Sequence, residues 1–576
     1  MEMKLSVLVL ALWVPTIFSQ SDWWQTGQFY QIYPRSFKDS NGDGIGDLNG
    51  IREKLSYLKD IGITAVWLSP IYKSPMKDFG YDIADYKDIQ PEYGTMADFD
   101  ALLKRANELG IKLIMDLVPD YTSDLLDWFQ KSVNRVKGYE DFYIWHDGYP
   151  DPKNSSNRLP PNNWLSVFRG SAWKWNTKRQ QFYLHQFLAE QPELNYRNPL
   201  VLEAMKDVLT FWLDKGVAGF RVDSVPYIYE VRPDSKGRYP DEPKSGSTDD
   251  PDNFDYLKHI FTQDQPETIE FVYLIRAFLD EYKRKHGGDT RVFLAETYSP
   301  IKIIMQYYGN ETHNGAHIPF NFNFVKRANA TSKAPDYAAI ISLWMDNMPK
   351  QYTANWVIGN HDNRRVGSRY GPGMIDAMNM LLMLLPGASV TYNGEEIGML
   401  DVDISWKDTV DPAACNSNPQ IYQQFTRDPE RTPFQWDDSK NAGFSTGNKT
   451  WLPIHPNYRE VNVKVQQAAA RSHLKVFKDL IQLRQTSKTL QRGELKYKAL
   501  NDNVLAVQRS LSGSNTILLL MNVSDKSQTV YVQQWSATIP ASMKVRIASV
   551  QSKRNANETL KVSSITLDPY ESLVLE

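Results

Sequence analysis

The sequence predicts an α/β protein, a TIM (β/α)8 barrel with an inserted lid domain after the third strand and a C-terminal antiparallel β-domain. Short, continuously apolar runs alternate with amphipathic helical patterns over most of the chain, which indicates a parallel sheet covered by helices. There are eight such runs, the number that closes a barrel of this type. Beyond about residue 494, runs of strand type follow one another with turns between them, which predicts an antiparallel sheet.

The first helical pattern after the opening strand places Ile51, Leu55, Leu58 and Ile61 on one face, and a second helix is predicted from Met96 to Leu109. The eight predicted barrel strands are Phe29–Tyr33, Ala65–Leu68, Lys112–Val118, Gly219–Val222, Val292–Ala295, Ile318–Phe324, Trp356–Ile358 and Ala388–Tyr392.

Two stretches break the alternation. Residues 119–195 are dense in Trp, Tyr, Pro and Asn and show little periodicity, which predicts a small inserted domain over the mouth of the barrel. A second irregular stretch, Leu400 to about Pro456, follows the eighth strand. We therefore divide the chain into a signal peptide (1–19), a catalytic barrel (20–118 and 196–493), an inserted domain (119–195) and a C-terminal β-domain (494–576) with strands such as Val504–Val507, Thr516–Met521 and Thr529–Val532.

Composition describes an ordinary globular protein, since 41% of the 576 residues are apolar and 23% are charged. A net charge of -3 gives no indication of a nucleic-acid or membrane-surface partner. The 16 Trp and 31 Tyr suit a sugar site, but large cores also accumulate aromatic rings.

The N-terminus predicts export. Lys4 precedes the apolar run Leu5 to Trp13, and Ser19 provides a small residue for cleavage, a secretory signal too short to span a bilayer. The C-terminus carries no hydrophobic tail that would indicate a lipid anchor. Cys415 is the only cysteine, so no internal disulfide can form. We expect a secreted, extracellular glycoprotein, and its six Asn-x-Ser/Thr sequons are Asn154, Asn310, Asn329, Asn448, Asn522 and Asn557.

An acidic loop follows the first strand. Its oxygen-bearing side chains stand at every second residue around glycines, a spacing that wraps ligands around a hard cation such as Ca²⁺. The loop is not an EF-hand, because its twelfth position is Gly50 and a strand precedes it. A tight polar turn is the alternative interpretation.

Three carboxylates follow predicted strands of the barrel. Asp223 ends the fourth strand, Glu296 ends the fifth and Asp362 follows the seventh. Active sites in such barrels lie at the C-terminal ends of the strands, so the three should meet on one rim. Arg221 shares a strand face with Asp223 and would keep that carboxylate charged and oriented. A structural ion pair is possible for one such residue, but paired carboxylates at neighbouring strand ends favour glycoside hydrolysis.

These motifs resemble the α-amylase superfamily, and within it the insect maltase (α-glucosidase) branch. The resemblance covers nearly the whole chain from Trp23. Its motifs are Gly80-Tyr81-Asp82, Gln191-Pro192-Glu193-Leu194-Asn195, Gly219-Phe220-Arg221-Val222-Asp223, Ala295-Glu296, Gly359-Asn360-His361-Asp362 and the longer run to Val366.

The resemblance implies a retaining α-glucosidase with three catalytic carboxylates. Asp223 would be the nucleophile, Glu296 the general acid and then base, and Asp362 the stabiliser of the transition state. Glu296 should have a pKa raised to about 6 and should lie about 5–5.5 Å from Asp223. Substrate-binding positions carried over from the family are Tyr81, Asp82, Tyr121, Arg221, His361 and Arg427, and its calcium ligands correspond to Asp39, Asn41, Asp43, Ile45 (through its carbonyl) and Asp47.

One departure stands in the third-strand motif. The family usually has Asn-His where this chain has Asp120-Tyr121, and the family histidine hydrogen-bonds the glucose. The substitution predicts slower hydrolysis, and it leaves open a maltase-like binding or receptor protein with weak or lost activity. Ser224, next to the nucleophile, leaves the bond specificity open among maltose, sucrose and α-1,6-linked substrates. The expected partners are small α-glucosides, and the oligomeric state is not predicted.

Overall fold

Eight parallel strands form the central sheet of the computed structural model, which describes residues 22–536 and 538–576. The predicted signal peptide lies outside the described residues. Neighbouring strands pair in the order β6-β5-β4-β3-β2-β1-β8-β7. The strands are β1 Gln28–Ile32, β2 Ala65–Leu68, β3 Lys112–Leu117, β4 Gly219–Val222, β5 Val292–Ala295, β6 Ile318–Pro319, β7 Asn355–Val357 and β8 Ala388–Tyr392.

The two ends of this strand order, β6 and β7, are joined through a side chain. Nδ2 of the fully buried Asn355 donates to the carbonyl of Pro319 at 2.6 Å, and its Oδ1 accepts from the backbone N–H of Asn321 at 2.9 Å. The sixth strand is shorter than the predicted Ile318–Phe324, because Pro319 cannot donate to a ladder and Asn323–Arg327 form a helix. The prediction of a barrel is confirmed, and the side-chain amide of Asn355 links β6 to β7.

Helices pack around this sheet, and some of them begin at residues whose side chains cap the first turn. Asp47 accepts from the N–H of Gly50 at the start of Leu48–Asp60, and Thr95 forms a capping box with Asp98. The helices are Pro34–Phe37, Leu48–Asp60, Met96–Glu108, Asp127–Val133, Pro199–Lys215, Pro266–His286, Ile301–Tyr307, Asn323–Arg327, Ala334–Met345, Val366–Tyr370, Ile375–Leu384, Pro412–Cys415, Val463–Ala468, His473–Thr486, Lys488–Arg492 and Val532–Trp535.

The core has an inner and an outer layer. Phe29, Trp67, Ile114, Leu294 and Val390 fill the interior of the barrel, and a much larger cluster packs between strands and helices. Apolar side chains on both faces explain why the strands read as continuous hydrophobic runs.

The insertion after β3 forms a lobe with a small core of its own, in which Trp164, Trp173 and Phe182 are buried. Its strands are Trp145–His146, Tyr149–Asp151, Asn154–Leu159, Trp173–Asn176 and Gln181–Leu184. The long segment after β4 also packs on this lobe, since Tyr239 adjoins its core and Trp164 donates to the carbonyl of Pro240 at 3.0 Å. The sequence predicts this segment as part of the barrel (196–493), because no change in composition marks it off.

The C-terminal strands form an antiparallel sheet, as predicted. The order of its six strands is β9-β10-β11-β16-β13-β14, and β12 pairs separately with β15. The predicted strand Thr529–Val532 is shorter than expected, because a helix begins at Val532. The strands are β9 Glu494–Ala499, β10 Val504–Ser510, β11 Ile517–Asn522, β12 Gln528–Val530, β13 Ser542–Ala548, β14 Thr559–Lys561, β15 Ile565–Leu567 and β16 Ser572–Leu575.

None of the helices in residues 22–536 and 538–576 combines the length and the apolar character needed to cross a membrane.

Candidate active site

A cavity of about 400 Å³ opens at the C-terminal ends of the barrel strands. Asp223, Glu296 and Asp362 all line it, so the three predicted carboxylates meet at one site. Aromatic rings form much of the remaining wall, contributed by Tyr81, Tyr121, Phe168, Phe187, Tyr227, Tyr298 and Phe425. Apolar faces with a few convergent polar groups are typical of a small-molecule site.

Arg221 is the central cation of the site. Its Nη1 donates to Oδ1 of Asp116 at 2.9 Å and also contacts Oδ1 of Asp223, while Nη2 lies 2.8 Å from Oε2 of Glu296. The guanidinium lies over the ring of Trp67, 4.9 Å from its centroid. The side chain is buried behind the carboxylates and does not line the cavity, so a direct contact with the sugar stays a prediction. Arg221 orients the carboxylates.

Glu296 has the surroundings of a general acid. Burial raises its pKa well above the usual range, and the charges of Asp223 and Asp362 add to this effect, although Arg221 opposes it. The backbone N–H of Ser224 donates to Oε2 of Glu296 at 2.9 Å. Ser224 has a φ of 48°, and this left-handed turn directs its N–H towards the acid.

Asp362 is surrounded by cations. Its Oδ1 lies 2.8 Å from Nη2 of Arg431 and 3.2 Å from Nη1 of Arg427. Burial alone would raise the pKa of Asp362, but the guanidinium groups of Arg431 and Arg427 oppose it and the pKa lies well below the usual range. A permanently charged carboxylate here could stabilise positive charge on a sugar ring.

His361 stands between two aromatic rings. Tyr33 and Tyr81 stack on it with centroids 5.5 and 5.4 Å away. Its Nε2 lies 2.8 Å from the hydroxyl of Tyr81, and Nδ1 lies 2.8 Å from Nε2 of Gln31. Burial lowers the pKa of His361 well below its usual value, although the charge of Asp362 opposes this effect. The structure therefore places Tyr81 and His361 together on one wall, as predicted for sugar-binding residues.

Tyr121 makes a contact that the sequence did not predict. Its hydroxyl donates to Oδ2 of Asp223 at 3.0 Å, and its ring packs against Phe187 with centroids 4.7 Å apart. Tyr121 also lines the cavity. It can therefore act on the predicted nucleophile as well as on a bound sugar.

Asp120, the other residue of the unusual pair, does not line the cavity. It is fully buried, and in the described part of the chain no N–H or O–H group donates to either of its oxygens. Burial raises the pKa of Asp120 well above its usual value, and the facing carboxyl of Glu193 raises it further. Two carboxyl groups buried this close together cannot both ionise without a large cost, so the pair favours keeping a proton.

Asp82, predicted to bind substrate, does not line the cavity. Its carboxylate is buried inside its own loop, where it accepts from Ser74 Oγ at 2.9 Å and from the N–H of Lys77 at 2.8 Å. The carboxylate that lines the cavity is Asp78, whose Oδ1 lies 3.1 Å from Nη2 of Arg427. Arg427 itself lines the cavity, as predicted.

The acidic loop after β1 folds around its own backbone. Asp39 accepts from the N–H groups of Asn41 at 3.0 Å and Gly44 at 2.8 Å, and Asp47 accepts from Ser40 N at 2.8 Å. Among residues 22–536 and 538–576, no cluster of three His, Cys, Asp or Glu side chains converges as a metal site. These contacts suit a polar turn. The loop also carries the oxygen ligands that Ca²⁺ prefers, including Asn41, Asp43 and the carbonyl of Ile45.

Sequence reasoning missed Asp78, Asp116 and Arg431. Asp116 is the penultimate residue of β3 and Asp223 directly follows β4, so an argument from carboxylates near strand ends also identifies Asp116. Arg431 lies four residues after Arg427, a signal visible in the sequence but not interpretable without the fold. The aromatic residues Phe168 and Phe187 come from the inserted lobe, whose irregular sequence gives no register for placing them.

Comparisons with known proteins agree with this geometry. A model of the alpha amylase catalytic domain matches residues 31–493. The chain is 55% identical to Maltase 1 of Drosophila virilis over 557 residues, covering 96% of this chain and 87% of that protein. It is 49% identical to Maltase A1 of Drosophila melanogaster over 573 residues, covering 99% of each. Its structure is similar to that of the α-glucosyl transfer enzyme XgtA, with a TM-score of 0.83 and 32% identity over 96% of this chain and 99% of that one.

Proposed function

The chain belongs to the α-amylase catalytic-domain family, and from this premise we propose that it is a retaining α-glucosidase that releases α-glucose from small α-glucosides. One observation carries the proposal. Asp223 and Glu296 face the same cavity while bound to the two ends of a single guanidinium, that of Arg221. A nucleophile and an acid held this close suit a double displacement, which leaves no gap between them for a water molecule.

The first step forms a covalent intermediate. An oxygen of Asp223 bonds to the anomeric carbon while Glu296 gives its proton to the glycosidic oxygen, and the aglycone leaves as a neutral alcohol. In the second step, water attacks the same carbon and gives a proton to Glu296. The electron pair of the sugar–Asp223 bond then returns to the carboxylate. Two inversions at one carbon retain the α-configuration.

The charged end of the cavity supports release from the non-reducing end. Asp78, Arg427 and Asp362 form a linked set of charges there, joined by contacts of 3.1 and 3.2 Å. Such groups can hydrogen-bond the hydroxyls of one terminal glucose and block a longer chain from passing. A cavity of about 400 Å³ is in the size range of sites for small ligands. Maltose, sucrose and short α-glucosides are the proposed substrates.

Catalytic competence is the property that separates an enzyme from a maltase-like binding protein. The carboxylates that the reaction needs all line the cavity, and Tyr121 leaves them in place. An enzyme is therefore favoured over a binding or receptor protein without turnover.

Export, glycosylation and calcium binding are further parts of the proposal. The signal pattern before residue 20 and the sequons support a secreted glycoprotein. Asn522 is not a proposed acceptor, because it is buried and its Nδ2 donates to the carbonyls of Lys526 and Asp568, each at 2.8 Å. The other five sequon asparagines are exposed. Asp39, Asn41, Asp43, Ile45 and Asp47 would supply oxygen ligands to a structural Ca²⁺.

A product assay tests the central proposal. The purified protein should release p-nitrophenol from p-nitrophenyl α-glucoside and glucose from maltose or sucrose. Proton NMR should show α-glucose as the first product, and Asp223→Asn should show none. Turnover of none of these substrates would contradict the proposal, and β-glucose as the first product would contradict the mechanism.

A further inference from the structure

Both oxygens of the proposed nucleophile have hydrogen-bond donors. Oδ2 of Asp223 accepts from the hydroxyl of Tyr121 at 3.0 Å and from Oγ of Ser224 at 2.9 Å, while Arg221 contacts Oδ1. The family histidine at the position of Tyr121 is expected to bind the sugar. In this chain the phenol reaches the reacting carboxylate itself.

The phenol of Tyr121 is a fixed donor. Its side chain packs on Phe187, and its backbone carbonyl accepts from the hydroxyl of Tyr86 at 3.2 Å. Tyr121 also pairs with Glu193 in an isolated antiparallel bridge. Burial, with Asp223 close by, raises the pKa of Tyr121 well above its usual value, so the hydroxyl keeps its proton. A donor fixed in advance needs no reorganisation during the reaction.

We propose that Tyr121 is a catalytic residue that favours release of Asp223 from the sugar over the initial attack of Asp223 on it. This inference rests on the proposed function. A hydrogen bond is stronger to a charged carboxylate than to the same oxygen in an ester. The Tyr121 bond therefore stabilises Asp223 before it attacks and again as it departs. It slows the first step and speeds the second, and no proton leaves the phenol.

The test compares two rate constants in Tyr121→Phe. The first is for attack of Asp223 on the sugar, and the second is for release of Asp223 by water. Pre-steady-state release of p-nitrophenol from p-nitrophenyl α-glucoside gives the first rate constant, and the steady state gives the second when a burst is present. We expect the ratio of the second to the first to fall about tenfold or more, the effect of losing one hydrogen bond to a charged group. Glucosylated Asp223 peptide should accumulate correspondingly in quenched samples.

Two further variants sharpen the result. Ser224→Ala removes the other side-chain donor to Oδ2 and should lower the ratio in the same direction. Tyr227→Phe is the matched control, because its ring lines the cavity and lies 5.2 Å from Phe187, and none of the described hydrogen bonds joins its hydroxyl to Asp223. It should leave the ratio unchanged whatever its effect on binding.

The outcomes separate the two levels of the proposal. Wild-type protein that turns over no α-glucoside overturns the proposed function and this inference with it. Turnover by the wild type with an unchanged or increased ratio in Tyr121→Phe overturns this inference alone and leaves Tyr121 as a sugar contact. If Tyr121→Phe loses its cooperative thermal transition, the test rests on Ser224→Ala. An unchanged ratio of the two rate constants in Ser224→Ala then overturns the inference.

Discussion

Nη2 of Arg427 lies 3.1 Å from Oδ1 of Asp78, which joins the loop before Tyr81 to the segment after β8 across the cavity. The same nitrogen lies 2.8 Å from Oδ1 of Asp411, and Nη1 reaches Asp362 at 3.2 Å. One guanidinium therefore organises the charged end of the proposed glucose pocket. This relationship makes Asp78, rather than Asp82, the residue of that loop to test.

Asp78→Asn should lower kcat/KM for p-nitrophenyl α-glucoside by about 10- to 100-fold. The change weakens a charge-assisted contact, and bonds to charged groups contribute about 1.5–3 kcal/mol. Asp88→Asn is the control, since Asp88 is exposed in the same region, and it should have no effect. Equal kinetics in the two variants would remove Asp78 from the substrate-binding set.

The barrel could be predicted because its strands are buried on both faces and its carboxylates follow strand ends. Gly219–Val222 was predicted with its observed limits, and Asp223 follows from it directly. The failures lie in loops. Asp82 and Asp78 stand four residues apart in an irregular segment, where no periodicity says which carboxylate faces the cavity and which one caps the backbone.

The partners of the Asp120-Tyr121 pair also required the fold. Glu193, which faces Asp120, comes from the far end of the inserted lobe, over 70 positions later in the sequence. The residue types alone show that Asp120 and Tyr121 differ from the family pattern. Only the packing shows that the acid points into the protein while the phenol points at the nucleophile.

Asp223→Asn should abolish hydrolysis of every α-glucoside, whereas the loss in Glu296→Gln should depend on the leaving group. Maltose needs a proton on its departing oxygen, but p-nitrophenolate leaves without one. Glu296→Gln should therefore lose much more activity on maltose than on p-nitrophenyl α-glucoside. The thermal midpoint checks folding, and retained activity of more than a few per cent on maltose in both variants would contradict the assigned roles.

The pH dependence of kcat/KM should reflect the buried acid. Glu296 must carry its proton to act, and burial raises its pKa well above the usual range. Activity on maltose should therefore persist through mildly acidic pH, where an ordinary glutamate has already ionised, and fall as pH rises through the raised pKa. The basic limb should disappear in Glu296→Gln assayed with p-nitrophenyl α-glucoside. A basic limb at the same pH in that variant would assign it to another group.

Removal of calcium tests the acidic loop. If Asp39, Asn41, Asp43 and Asp47 hold Ca²⁺, excess chelator should lower the thermal midpoint, because a ligand that binds only the native state stabilises it. Activity well below that temperature should barely change, since the loop supplies no side chain to the cavity wall. Readdition of Ca²⁺ but not Mg²⁺ should restore the midpoint. A midpoint that ignores the chelator would favour the polar turn.

Asp120→Asn should stabilise the protein increasingly as pH rises. Burial raises the pKa of Glu193 to about 8, and that of its partner Asp120 is also raised well above the usual value. A carboxyl group whose pKa is raised by folding favours the native state below its unfolded pKa, about 4.3 for Glu. This contribution is lost as pH rises through the raised value, so the wild type should lose stability between about pH 4.5 and 8.

The amide in Asp120→Asn donates to the Glu193 carboxylate without needing a shared proton. The two proteins should therefore have similar thermal midpoints near pH 4.5, and the midpoint of the variant should rise progressively above that of the wild type towards pH 8, by less than the about 2–4 °C per kcal/mol of a 150–250-residue domain. Asp141→Asn is the control, because Asp141 is exposed in the same lobe and should shift the curve at no pH. Parallel curves for Asp120→Asn and wild type would mean that the acid pair carries no proton in the native state.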